Sequence, residues 1–402
     1  MRTLIKTTFA AICCCALLLG GPAAAQRAAK GSEKGAAKGA WKGAEKGAEK
    51  GSPPSDEWRA LNQEATNLFF EGKFDGGVVV AKKALELAER EHGPNHPSIA
   101  ASLNRLAELY RSQGQFAAAE PLYKRSLAIR EGYRNPDPAA LSQSLNNLAQ
   151  LHMAQGQYAA AEPMFKRALA IREAAYGAEH PDVASTLSGL AELHQGQGKL
   201  AEAEVLYQRS LAIREKLMAP DRPQVALTGN QAASSINQLA ATLTGLAAIY
   251  SEQGKYEAAE TLYKRAIAVV DELRDRDHPL MARSLGGLAS LKARQGEYDA
   301  AEALYKRAIA IFENSLDRDH PRMAAVLQGI AFIYSARDAN VAAEALLKRA
   351  LEIRVAALGG QHPSVADTLE KLAAVYVKQN KSAEAKQSAD RAAAIRSAKP
   401  GQ

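Results

Sequence analysis

Histidine is the residue of this chain best suited to acid–base or metal chemistry, so its spacing is the first thing to read. Five of the eight histidines stand directly before a proline, at 96, 180, 278, 320 and 362. A metal site needs several ligands converging within a few ångströms, whereas these fall one per structural unit. Proline suits the first turn of a helix, where its missing N–H would have no partner. The pairing therefore predicts that each histidine caps a helix start or packs in the turn before it. His152 and His194 occupy a slot filled by tyrosine at Tyr110 and Tyr250, and His92 alone falls outside the pattern.

Recurrent Lys-Arg pairs are the second place where chemistry could sit, because a basic strip can hold phosphate. Here each lysine follows a glutamate by four residues: Glu120 and Lys124, Glu162 and Lys166, Glu260 and Lys264, Glu302 and Lys306, Glu344 and Lys348. Glutamate four residues before lysine is the favourable order on a helix, worth about 0.2–0.5 kcal/mol a pair. The pattern predicts a self-neutralised outer face. No phosphate loop, dinucleotide fingerprint, zinc-protease helix or Gly-x-Ser-x-Gly turn occurs. The chain reads as no enzyme, with no cofactor and no metal.

The elements that carry these residues repeat. Gln-Gly stands at 113, 155, 197, 253 and 295, in steps of 42, 42, 56 and 42 residues. The same step reaches back to Glu71-Gly72 and forward to Arg337-Asp338 and Gln379-Asn380, which makes eight units. In the unit around Gly114, Leu103, Leu106, Ala107 and Tyr110 form one helical stripe, and Phe116, Ala119, Tyr123 and Leu127 form a second. Each unit is thus a helical hairpin, with the glycine closing the first helix. Pro121 and Pro163 fall about six residues into the second helix and call for a later helix start or a bend. The 14 extra residues lie within 217–233, where Pro220, Pro223 and Gly229 predict a surface loop, or a backward extension of the next helix from Gln231.

With Leu-small-x-x-Tyr before the turn and spaced alanines after it, the unit resembles the tetratricopeptide repeat. Its 42-residue length, the run Ala119-Glu-Pro-Leu-Tyr-Lys-Arg-Ser-Leu-Ala-Ile-Arg-Glu131 and the run His180-Pro-Asp-Val-Ala184 are most similar to the kinesin light chain type. The resemblance covers about residues 56–397 and implies an all-α, right-handed α-solenoid of eight hairpins. Repeat seven departs from the pattern at Arg337-Asp338 and Asn340, and the end units carry the polar replacements expected of caps, with Glu64 for leucine and Ala389 for tyrosine.

The ends of the chain differ in kind from the repeats. Arg2, Lys6, the apolar run Phe9–Leu19 and Ala23-Ala24-Ala25 predict a cleaved export signal over residues 1–25. Cys13, Cys14 and Cys15 all fall within it. Residues 26–55 repeat Lys-Gly six times and predict a disordered linker; residues 398–402 are a short tail. Most of the formal charge of +7 sits in the signal and linker, so the repeat body is close to neutral and a nucleic-acid partner is not supported.

The expected function is a non-enzymatic scaffold, exported to the periplasm or secreted, that binds a protein or extended peptide. The resemblance places the binding surface on the concave face lined by first helices. Asn104, Asn146 and Gln150 would contact backbone, and Glu108, Arg111 and Glu192 would select charge. Both asparagines are expected to point away from the apolar stripes. Two other classes stay open: a cell-envelope protein whose basic linker, 26–55, binds anionic polymer or membrane lipid, and an accessory subunit of an envelope enzyme or secretion complex.

Overall fold

The computed structural model describes residues 53–70, 73–218, 229–272, 278–315 and 321–397. All of them belong to one compact unit, Gly51–Gln402. The expected signal, nearly all of the Lys/Gly linker, the Glu71-Gly72 turn, His320, residues 219–228 of the insertion and the tail lie outside the described residues.

Sixteen helices and no strand are found among the described residues. The first hairpin is α1 (Asp56–Phe70) with α2 (Phe74–Glu91), the second α3 (Pro97–Ser112) with α4 (Phe116–Glu131), and the third α5 (Pro138–Ala154) with α6 (Tyr158–Tyr176). The fourth is α7 (Pro181–Gly196) with α8 (Leu200–Met218), and the fifth α9 (Gly229–Glu252) with α10 (Tyr256–Asp271). Then follow α11 (Pro279–Arg294) with α12 (Tyr298–Ser315), α13 (Pro321–Ala336) with α14 (Asn340–Leu358), and α15 (Pro363–Lys378) with α16 (Ser382–Ser397). Each second helix packs on its own first helix and on the next one, and successive first helices also touch. The result is an α-solenoid with the first helices on the inner face.

The stripes predict the core. Leu103, Leu106 and Ala107 are buried against Ala119 and Tyr123. One large aromatic per unit recurs at Tyr123, Phe165, Tyr207, Tyr263 and Tyr305, each buried and worth about 2 kcal/mol in apolar area removed from water. For the last four, the next first helix makes room with a glycine, whereas Asn147 holds that slot after Tyr123: a Cβ at Gly287 would lie 2.3 Å from the Tyr263 ring, and one at Gly329 2.2 Å from Tyr305. Turn position 114 holds φ at +74°, and where repeats seven and eight lack the glycine, Asp338 and Asn380 adopt φ of 59° in the same slot. Short polar side chains tolerate that left-handed conformation, so the register survives the change of wording.

All five glutamate–lysine pairs form, at 2.6 to 2.8 Å. Pro121 and Pro163 do sit inside helices, with no later start. Each proline and the residue four before it, Ala117 or Ala159, is exposed, so water can take the carbonyl that the missing N–H leaves free. In the insertion, α9 begins at Gly229 and runs for 24 residues, against 16 in α11. The extension therefore starts two residues before Gln231.

Between units the sequence reading missed a set of inward-packed arginines, buried at 172 and 214 and half-buried at 130 and 354. Arg172 Nη1 donates to the Asp182 carbonyl at 2.9 Å and to Thr186 Oγ1 at 2.7 Å. Arg354 repeats the arrangement with Ser364 and Thr368, both at 2.7 Å. Burial pushes both guanidinium pKa values down. In units five and six the same position holds Val270 and Phe312.

Candidate binding groove

Four of the five histidine-proline pairs resolve as helix caps, the fifth histidine lying outside the described residues. His96, His180, His278 and His362 each accept a hydrogen bond at Nδ1 from the backbone N–H two residues on, at 3.1 to 3.2 Å. An accepting Nδ1 leaves the ring proton on Nε2. His152, in the tyrosine slot, is buried with Nδ1 2.7 Å from Gln157 Oε1. Among the described residues no group of three or more His, Cys, Asp or Glu is placed to hold a metal ion.

The six residues expected to line the groove lie on α3, α5 and α7, and the structure does not present them alike. Asn104 and Asn146 are only 8% and 6% exposed, and their Oδ1 atoms are sealed from solvent with no hydrogen-bond partner. They do not stand clear of the packed interior, as their positions in the repeat led us to expect, because neighbouring first helices close over them. Glu108 is engaged twice, by Arg105 Nη1 at 2.6 Å and by Asn147 Nδ2 at 2.9 Å. Arg111 and Gln150 are half-buried, and the Arg111 Nε is sealed without a partner. Glu192 is exposed and reaches Arg283 at 3.5 Å, linking unit four to unit six.

Arg283 leads to a cavity that the sequence reading did not anticipate. It has a volume of about 780 Å³ and spans units six to eight. On α11, Arg283, Gly286, Ser290 and Arg294 fall on one helical face; on α13, Ala325, Gln328 and Phe332 do the same; α15 contributes Lys371. Tyr305 and Phe312 of α12 line its apolar floor. Phe332 is 54% exposed, and Gln328 is anchored through Nε2 to Thr368 Oγ1 at 3.0 Å. Three cations line the cavity and no carboxylate does. Burial pulls the Lys371 pKa below its ordinary value, against the pull of Asp367 in the other direction.

Chemically, the site offers an apolar surface with an exposed aromatic ring, bordered by three cationic side chains, of which Arg283 is already paired with Glu192. Its size lies within the roughly 300–1,000 Å³ of ordinary ligand pockets. It suits an apolar group carried next to an anionic one. One sequence signal could have found it. Arg283, Arg294 and Lys371 stand where the unit before each carries Ala241, Glu252 and Gly329, so each is a cation that breaks the repeat.

A family model described as tetratricopeptide repeat matches residues 59–132, 140–216, 238–314, 280–354 and 322–398. Among solved structures, the apo form of the quorum sensor NprR from B. thuringiensis is 14% identical. It aligns over 86% of this chain and 89% of its own, with a TM-score of 0.57. A Rap protein complexed with competence and sporulation factor is 13% identical over 85% of this chain and 98% of its own, with a TM-score of 0.56. At that identity the likeness is one of fold. The nearly identical TPR-like repeats of a candidate kinesin light chain from Podosopora anserina are 25% identical over 55% of this chain and 97% of theirs, with a TM-score of 0.43. No curated protein matches the chain in sequence.

Proposed function

Since this chain belongs to the tetratricopeptide repeat family, we propose that it is a non-enzymatic scaffold whose concave face binds an extended peptide or a segment of a partner protein. The observation that carries the reading is the cavity of units six to eight, with Arg283, Arg294 and Lys371 around Phe332. Charge of one sign above an apolar floor favours a segment that pairs a bulky apolar side chain with one or more carboxylates. The segment would continue past Arg283 towards Glu192 and the inner face of α3 and α5. Asn104 and Asn146 can join only if neighbouring side chains move, because their acceptors are sealed. The Rap structure, solved with a bound factor on a shared fold, lends support. The export signal read in residues 1–25 puts the partner in the periplasm or outside the cell.

The test is capture from envelope extract by the immobilised chain, followed by titration of the recovered partner. Charge reversal at Arg294 and Lys371 together should weaken binding at least tenfold, the effect of about 1.4 kcal/mol. Deleting residues 26–55 should leave it unchanged. Binding that survives the double reversal and disappears with the deletion would move the site to the basic linker.

A further inference from the structure

A solenoid ribbon has two edges. Turns inside hairpins, such as those at Gly114 and Gly156, lie along one, and corners between units, such as the one before Pro363, lie along the other. In a simple solenoid each unit touches only its neighbours. Here the two edges meet. His362, which caps α15, places Nε2 2.8 Å from the carbonyl of Ala154 at the end of α5, 208 residues away in the chain. Because Nδ1 accepts from Ser364 N–H at 3.1 Å, the proton is on Nε2, and Nε2–H donates to Ala154. A Cβ at Gly114 would lie 2.3 Å from the Ala357 carbonyl oxygen, and one at Gly156 3.4 Å from Pro363 Cγ. Units two and three thus rest on the corner joining units seven and eight.

We propose that this contact is a clasp that holds the coiled solenoid shut against sideways entry to its concave face, and that protonation of His362 releases it. The contact consists of one hydrogen bond and a few close approaches, so it is easily reversed. An imidazolium carries a proton on both nitrogens. Its Nδ1–H would face the Ser364 N–H, donor against donor, and a ring that turns away takes Nε2 off Ala154. Two groups favour protonation, the Ala154 carbonyl that Nε2–H already bonds and Asp367 of α15, while Arg354 of α14 opposes it, so release comes from the clash at Nδ1 and from burial and not from the bond to Ala154. Burial outweighs these and holds the pKa below the ordinary 6.5. Closure is therefore fully favoured above that value and is lost as the pH falls below it towards the lowered one. A ligand threaded along the coil axis is indifferent to the clasp, whereas a protein segment entering from the side needs it open.

The test uses the full chain with two orthogonal labels at Ala159 and Glu352, both exposed, and reads the distance between them at pH of about 7.5 and about 5, on either side of the ordinary histidine range. The native chain should lengthen at the lower pH by at least about 10 Å, the diameter of one helix. Gly114→Ala should show the long distance at both. Gly198→Ala is the control: the same turn, φ of +75° and no atom within 4 Å of the added Cβ, hence the same backbone strain with the clasp intact. His362→Asn, which can still cap α15, should abolish the response to pH. A Gly114→Ala distance equal to that of Gly198→Ala, or a native distance that does not lengthen in acid, overturns the proposal.

Discussion

Gln253 donates from Nε2 to Glu204 Oε2 at 2.9 Å, so the glutamine of a recurring Gln-Gly pair ties its unit to the second helix of the unit before. Gln113 does the same to Asp75 at 2.7 Å, and Gln155 to Glu120 at 3.4 Å. Gln379 reaches the Asn340 carbonyl instead, at 2.8 Å. The glycine makes the turn, and the glutamine uses the turn to join units.

Replacing Gln253 with alanine should destabilise the fold by about 0.5–1.5 kcal/mol, the net worth of a hydrogen bond. The effect should read as a lower urea midpoint with an unchanged slope. Gln253→Glu should cost more, because it sets a second carboxylate against Glu204. A glutamate variant as stable as the native chain would show that the tie contributes nothing.

Arg172 should be the costliest single arginine to remove. It is 3% exposed and donates to Ser142, Gln143, Thr186 and the Asp182 carbonyl at 2.7 to 3.1 Å. Alanine there strands those acceptors and leaves a void, for about 3 kcal/mol by comparison with other bonds to charged groups. Arg172→Met fills the void and should recover part of the loss. Denaturant titration of the three proteins gives the ranking.

The glycine notches predict a contrast within one residue type. Gly287→Ala drives a methyl group to 2.3 Å from the Tyr263 ring and should cost about 1–3 kcal/mol, as overpacking does. Gly93→Ala meets no atom within 4 Å and should fall within about 0.5 kcal/mol of the native chain. Thermal melting separates the two, and equal melting temperatures would refute the notch.

Glu344 should supply a measurable part of the stability lost in acid. Hydrogen bonds from Lys348 and then Lys381 hold its pKa at about 2, well below the ordinary 4.5. A depressed carboxylate stabilises the fold above its unfolded value, and that contribution is lost as the pH falls from about 4.5 towards about 2. Glu344→Gln should flatten the stability-against-pH curve over that window and leave its shape at neutral pH unchanged. An identical acid limb in both proteins would assign the loss to other carboxylates.

What the sequence determined by itself is whatever depends on spacing along one helix or one turn. The apolar stripes, the five glutamate–lysine pairs and the histidine caps at 96, 180, 278 and 362 follow from helical geometry over at most a few residues, and each is found where the residues place it. Asn104 and Asn146 already mark the limit: their positions in the repeat are plain, but their burial depends on how closely adjacent first helices approach. The ties from Gln253 and Arg172 require knowing which atoms of one unit face the next. The cavity under Arg283, Arg294 and Lys371 depends on the curvature of three units together. The bond from His362 to Ala154 lies furthest from the sequence, because it exists only when small rotations accumulated over five hairpins bring one edge of the ribbon onto the other. Those rotations are set by side-chain packing at every interface in between, and tertiary structure alone decides their sum.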